Sequence, residues 1–310
     1  MAGELLRADA VTKRFDTVEA LTSLSVELTP GTIGLVGPNG SGKTTLLRLL
    51  LGLIPPTSGS LSVMGRDPQQ VPLLVREQVG YMPEHDCLMP DLSGVGFVAY
   101  MGRVSGLPRE TAMSRAHEVL EFVGLKEQRY RKIRECSVGM RQRVKLAQAI
   151  VHDPPLCLLD EPTSGLDPEG REEMLGLVAA LARLGGRSFV LSTHLLPDTE
   201  GLVDQVLLLN EGKLLAAGPV ATLLSSRTPE TVVRIRGDAL GYVAALSRRG
   251  IEARPQGTEL RVVLPSGDTR PVFEAANETQ AQVRYLGPSV RTIEDLFLSL
   301  VEEAPGSPAP

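Results

Sequence analysis

The stretch "GTIGLVGPNGSGKTTLLRLLLGLIPPTSG", residues 31–59, decides how this chain reads. Its opening "GTIGLV" is an apolar run suited to a buried strand. "GPNGSG" is a glycine-rich turn, and "KTTLLRLLLGL" is a helix stopped by the Pro55–Pro56 pair. Residues 37–45, "GPNGSGKTT", fit the pattern G-x-x-x-x-G-K-[ST] where its mechanism requires, between strand and helix. Gly37, Gly40 and Gly42 let the backbone of Pro38, Asn39 and Ser41 curl until consecutive N–H groups converge on one anion, helped by the helix N-terminus. Lys43 supplies a point charge for β- and γ-phosphates. Thr44, followed by Thr45, supplies a hydroxyl for Mg²⁺. The spacing predicts a nucleoside triphosphate site.

Such a site needs an acid at the end of a neighbouring strand. Residues 155–196 supply it. The apolar run "LCLL" ends in Asp160 and Glu161, a turn and a helix follow, Gly185–Gly186 closes the helix, and a second apolar strand runs over 188–193. Asp160 is expected to hold Mg²⁺ through water and Glu161 to polarise the attacking water as general base. Apolar strands alternating with helices imply a mainly parallel sheet covered on both faces. Residues 87–151 show no strong strand signal and read as a helical subdomain, with Met113, Ala116, Val119, Leu120 and Val123 at helical spacing. After "SSRTPE" (225–230) the pattern changes to alternating strands, "VVRIRG" and "ELRVVLP", and short helices. Residues 231–303 therefore read as a small α/β appendage, and 304–310 as a disordered tail.

Composition narrows the function classes. The 310 residues are 42% hydrophobic with a formal net charge of -5, have no Trp and only 4% aromatics, which speaks against a nucleic-acid partner. Cys87, Cys136 and Cys157 lack metal-ligand spacing and, being odd in number, suit no disulfide framework. The first sixteen residues carry charges and read as no secretory signal, and no run of eighteen apolar residues exists to span a bilayer.

One ordered set of stretches resembles the ATP-binding-cassette (ABC) ATPases over about residues 4–222: "GPNGSGKTT", "VGYMPEHD", "CSVGMRQR", "LLDEPTSGLD" and "STH". The third, with Ser137 lying 23 residues before Asp160, discriminates this family from other phosphate-loop enzymes. The resemblance implies a P-loop NTPase core, and a second copy whose Ser137 and Gly139 contact the γ-phosphate across a dimer. Ser137 is equally suited to cap the helix that follows it. The resemblance further implies that His194 bonds the γ-phosphate and the catalytic carboxylate, and that Ser164 and Asp167 lie in the loop crossing the dimer interface. It gives Glu84 access to Mg²⁺ and the attacking water, and has Phe15 stack on adenine, although a Phe there also suits a core. His85, His117 and His152 read as surface or structural.

Two stretches depart from the family pattern. Cys136, Val138 and Met140 stand at the first, third and fifth positions of a segment usually written L-S-G-G-Q. Since Val takes positive φ poorly, either this backbone site is not left-handed or the contact is weakened. Glu84 replaces a usual Gln and adds negative charge beside Asp160, Glu161 and the triphosphate. Both variants resemble the ABC-2 exporter branch. The resemblance thus implies ATP hydrolysis with Mg²⁺ by a homodimer, peripheral on the cytoplasmic face of the membrane and driving separate transmembrane permease subunits. A low-turnover regulatory subunit and a soluble non-transport ABC ATPase are the alternatives.

Overall fold

The computed structural model describes residues 3–85, 87–225, 230–256, 259–264, 267–288 and 292–303. The chain divides into two compact units, one of residues up to Val220 together with those from Phe297 on, the other Ala221–Leu296. The second unit thus runs Ala221–Leu296, against the 231–303 expected from the change to alternating strands. The tail at 304–310 lies outside the described residues.

In chain order the first unit runs β1 (Leu6–Phe15), β2 (Val18–Leu28), β3 (Thr32–Val36), α1 (Lys43–Leu50), β4 (Ser58–Val63), α2 (Pro72–Arg76) and β5 (Val79–Met82). It continues with α3 (Gly94–Val104), α4 (Arg109–Phe122), α5 (Val138–Ile150), β6 (Leu156–Asp160), α6 (Pro168–Arg183), β7 (Ser188–Thr193), β8 (Gln205–Asn210) and β9 (Lys213–Pro219). The central sheet has the order β5-β6-β7-β3-β8-β9 and is parallel except for the β8–β9 edge pair. β3, β6 and β7 are buried at every residue, which is why each reads as an unbroken apolar run.

Alternation inside those runs assigns the faces. Leu156 and Leu158 join Ile33, Leu35, Val190 and the leucines of α1 in one core. Cys157 and Leu159 join Phe189, Leu191, α5 and the Met174–Val178–Leu181 stripe of α6 in the other. A smaller antiparallel sheet, β2-β1-β4, adds Val11, Leu21 and Leu24 to the first core. Residues 87–151 are helical, as expected, with α3, α4, α5 and short 3₁₀ turns. One expectation shifts there: Met113 is exposed and Ala112 takes the inward position of α4 with Ala116, Val119 and Leu120. Among the described residues no helix is long and apolar enough to cross a membrane.

α7 (Val220–Ser225) spans the boundary in sequence, and the second unit then runs β10 (Glu230–Arg236), α8 (Ala239–Ser247), β11 (Ala253–Gln256), β12 (Glu259–Val263), α9 (Arg270–Glu278) and β13 (Gln282–Pro288) before α10 (Ile293–Glu303) begins. Its four strands form an antiparallel sheet in the order β11-β12-β10-β13, a split βαβ arrangement. Val233, Leu260 and Val262 pack with Tyr242, Leu246 and Val272 into a core of its own, where the Tyr242 hydroxyl donates to the Val272 carbonyl at 2.9 Å.

Candidate active site

Parallel registry brings the chemistry to one edge of the large sheet. Asp160 pairs with Ser192, and Val36 with Thr193, so Gly37, Asp160, Glu161 and His194 all emerge at the carboxyl ends of adjacent strands. In such sheets that edge is where ligands bind. The turn from β3 into α1 is glycine-rich for steric reasons. A Cβ at Gly37 would lie 2.2 Å from the Leu209 carbonyl oxygen, and one at Gly42 would lie 2.5 Å from that of Ala20, at a φ of +100°. Gly42 is the N-cap of α1 and contributes no side-chain cap. The first N–H groups of α1 are therefore left for an external acceptor.

Lys43, 6% exposed, donates to the carbonyls of Gly37 (2.8 Å) and Pro38 (3.2 Å), and its Nζ lies 3.4 Å from Glu161 Oε1. The other Glu161 oxygen lies 2.8 Å from His194 Nδ1. Glu161 thus stands between an ammonium and an imidazole. Its backbone has a φ of +47°, a left-handed conformation that costs about 1–3 kcal/mol in a non-glycine residue. Asp160 accepts from Ser192 Oγ (2.7 Å) and Thr44 Oγ1 (3.3 Å) through Oδ1, while its buried Oδ2 has no hydrogen-bond partner. Beside it, burial and then the Asp160 charge push the Tyr81 phenol pKa well above its usual range.

These residues border a cleft of about 660 Å³ lined by Asn39, Gly40, Gly42, Lys43, Thr44, Thr45, Glu161 and Glu84, with Val18, Glu19 and Ala20 closing one side. Phe15 is not in that lining. It stands 43% exposed at the end of β1, with Lys13 Nζ 4.8 Å from its ring centre, and the hairpin's return strand supplies the wall instead. Ser41 is buried under the loop, and Pro38 contributes its carbonyl to Lys43.

The segment containing Ser137 forms a separate surface. Ser137 caps α5, accepting from the Met140 N–H at 3.2 Å, and Val138 is the first helical residue, with no positive φ. That removes the conformational difficulty raised by Val138. A Cβ on Gly139 would meet only Leu166, at 3.7 Å, so the fold leaves the space over this glycine open. Asp167 caps α6 by accepting from Gly170 N at 3.2 Å. Ser137, Gly139 and Asp167 line a second cleft of about 520 Å³ together with Arg143, which is already engaged with the Val123 carbonyl and Glu173.

Sequence reasoning missed several residues of this region. Ser192 sits two positions before His194 and opposite Asp160, a placement available once β6 and β7 are paired. Gln142, Lys145 and Gln148 of α5 are buried and donate to the carbonyls of Ser164, Glu84 and Tyr81. Their signal was the three-residue spacing of Gln142, Lys145 and Gln148, which carries polar side chains on into the apolar half of the helix beyond Arg143.

Known proteins agree with this architecture. The ABC transporter family profile matches residues 21–164. The Nod factor export ATP-binding protein I of Cupriavidus metallidurans is 34% identical over 96% of this chain and 97% of its own length. A daunorubicin resistance ATP-binding protein of Streptomyces coeruleorubidus is 33% identical over 97% of this chain and 96% of its own. Among solved structures, the ATP-binding subunit of an ABC transporter superposes with a TM-score of 0.64 at 26% identity, over 72% of this chain and 92% of that one. A dimeric ATP-binding cassette in a post-hydrolysis state with ADP and Pi shares the fold, with a TM-score of 0.63 at 24% identity over 70% of this chain and 99% of that one. With a phosphate loop feeding α1, an acid-ended β6 and full-length relatives at a third identity, this chain belongs to the ABC family of transporter ATPases.

Proposed function

We propose that this chain is the ATP-hydrolysing subunit of an ABC-2 type exporter, working as a dimer that holds two ATP between its copies and drives separate membrane subunits. The observation that carries the reading is the placement of Glu161 between Lys43 and His194 at the mouth of the α1 cleft. Export is supported by the two full-length relatives, whose names concern Nod factor export and daunorubicin resistance.

In this reading the uncapped N–H groups of α1 and the Lys43 ammonium bind the phosphates of ATP. Lys43 leaves the loop carbonyls to do so, which frees Glu161 Oε1 to accept from a water. Glu161 orients that water and takes its proton, and His194 holds the carboxylate in place from the other side. The residues fit a magnesium ion: Asp160 Oδ2 is a buried acceptor without a partner, and the Thr44 hydroxyl lies beside the same carboxylate. Bound there with ATP, Mg²⁺ would neutralise phosphate charge. Glu84, half-buried on the wall of the same cleft, faces this region. The second cleft, around Ser137 and Gly139, supplies a hydroxyl and open backbone to the ATP of the other copy.

Purified protein is expected to hydrolyse ATP with Mg²⁺, and Glu161→Gln to lower turnover at least about a hundredfold. The same variant with saturating ATP is expected to elute as a dimer in gel filtration. A monomeric Glu161→Gln protein under those conditions would remove the shared-nucleotide arrangement.

A further inference from the structure

Gln142, Lys145 and Gln148 sit three residues apart and so share one arc of α5. Lys145 is the anomaly among them. It is 1% exposed in a helix otherwise buried by Val144, Leu146, Ala147 and Ile150, and an ammonium in such a place carries a large desolvation cost unless specific partners offset it. Its Nζ donates to the Glu84 carbonyl at 2.8 Å. Lys145 does not line the nucleotide cleft. It lines a neighbouring cavity of about 250 Å³ shared with Glu84, His85, Arg141 and Gln142. Glu84 borders both spaces. The chain thus carries an acid in this loop and a buried cation against the same loop.

We propose that Lys145 is a positioning residue for Glu84: its ammonium fixes the loop through the Glu84 carbonyl, keeping that acid turned toward the metal side of the nucleotide cleft. This rests on the reading of Glu84 as facing Mg²⁺. Because α5 begins at Ser137, the same helix that presents the second cleft also holds the acid of the first. Without the ammonium, the carbonyl anchor is lost.

The test is a cycle of Lys145→Met and Glu84→Gln on the full chain, read by the Mg²⁺ concentration that half-saturates the signal of a fluorescent ATP analogue. Lys145→Met is expected to raise that concentration about tenfold with Glu84 present and less than twofold with Gln at 84. Affinity for the analogue without Mg²⁺ should stay within about twofold, since Lys145 is outside the cleft. Lys145→Arg, which keeps charge and donors, should restore the wild-type response. If Lys145→Met fails to fold, Lys145→Leu, which likewise has no donor, carries the same expectation. An unchanged or tighter Mg²⁺ response, or an equal change in both backgrounds, overturns the proposal.

A second readout needs neither metal nor nucleotide. Amide hydrogen exchange in peptides covering Glu84 and His85 should speed up about tenfold in Lys145→Met. Unchanged exchange defeats the proposal whatever the metal does. A wild-type protein with no Mg²⁺ response, but with faster exchange in the variant, would count against the metal reading and not against Lys145 as the anchor of this loop.

Discussion

α1 and α5 of the first unit both present their N-termini to clefts, and they are finished differently. α1 starts behind Gly42 with no side-chain cap, a buried lysine as its first residue and two acids nearby. α5 starts behind Ser137, whose oxygen already accepts from Met140 N, and the cation beside it, Arg143, is held by Glu173 and a carbonyl. The unsatisfied end attracts an anion strongly by itself. The satisfied end can only add to an anion held elsewhere, through a hydroxyl proton and the open space over Gly139. In the proposed function one terminus is a site, and the other is a supplement to a site.

The sharpest way to break this contrast is Ser137→Arg. It is expected to reduce hydrolysis at least about a hundredfold by blocking the second cleft. Binding of a fluorescent ATP analogue should stay within about twofold. Equal loss of binding would place Ser137 in the cleft of α1 and erase the distinction. A smaller effect is expected from Ser192→Ala, which strips the 2.7 Å hydrogen bond from the buried Asp160 and should cost about 1–3 kcal/mol of stability, measured by urea unfolding. A loss confined to Mg²⁺-dependent activity, with stability intact, would show that Ser192 serves the metal side only.

The smallest effect belongs to the other end of α5. Burial lowers the pKa of His152, so the folded protein stays unprotonated where an unfolded histidine, with a pKa of about 6.5, takes up a proton. Its contribution is therefore present above pH 6.5 and lost as pH falls toward the folded value. Unfolding midpoints of wild type should drop between about pH 7.5 and 5.5, and His152→Gln should flatten that drop. Parallel curves for the two proteins would mean that His152 has no part in it.

Much of this was readable from residues alone. The strand over 188–193, the acid end of β6 and the loop at 37–45 all stand where the pattern put them, because a strand buried on both faces leaves an unmistakable apolar run. The β2-β1-β4 sheet was not readable. Register shifts after Ala8 and Val11, with Ala10 and Ser23 at positive φ, break the alternation that would have announced it. Phe15 ends β1 outside the cleft lining, and Val18, Glu19 and Ala20 of the return strand line it, a placement that only the pairing of β1 with β2 reveals. Lys145 was hidden for another reason, since no local pattern says whose carbonyl a buried lysine will meet.

Within the second unit the first and last strands of the sheet, β10 and β13, are hydrogen-bonded neighbours with Thr231 opposite Pro288. The sheet therefore starts and finishes side by side, like the prongs of a plug. A sheet closed in this way keeps all of its strand pairing between two neighbouring points of the chain, so its stability is set by contacts within it.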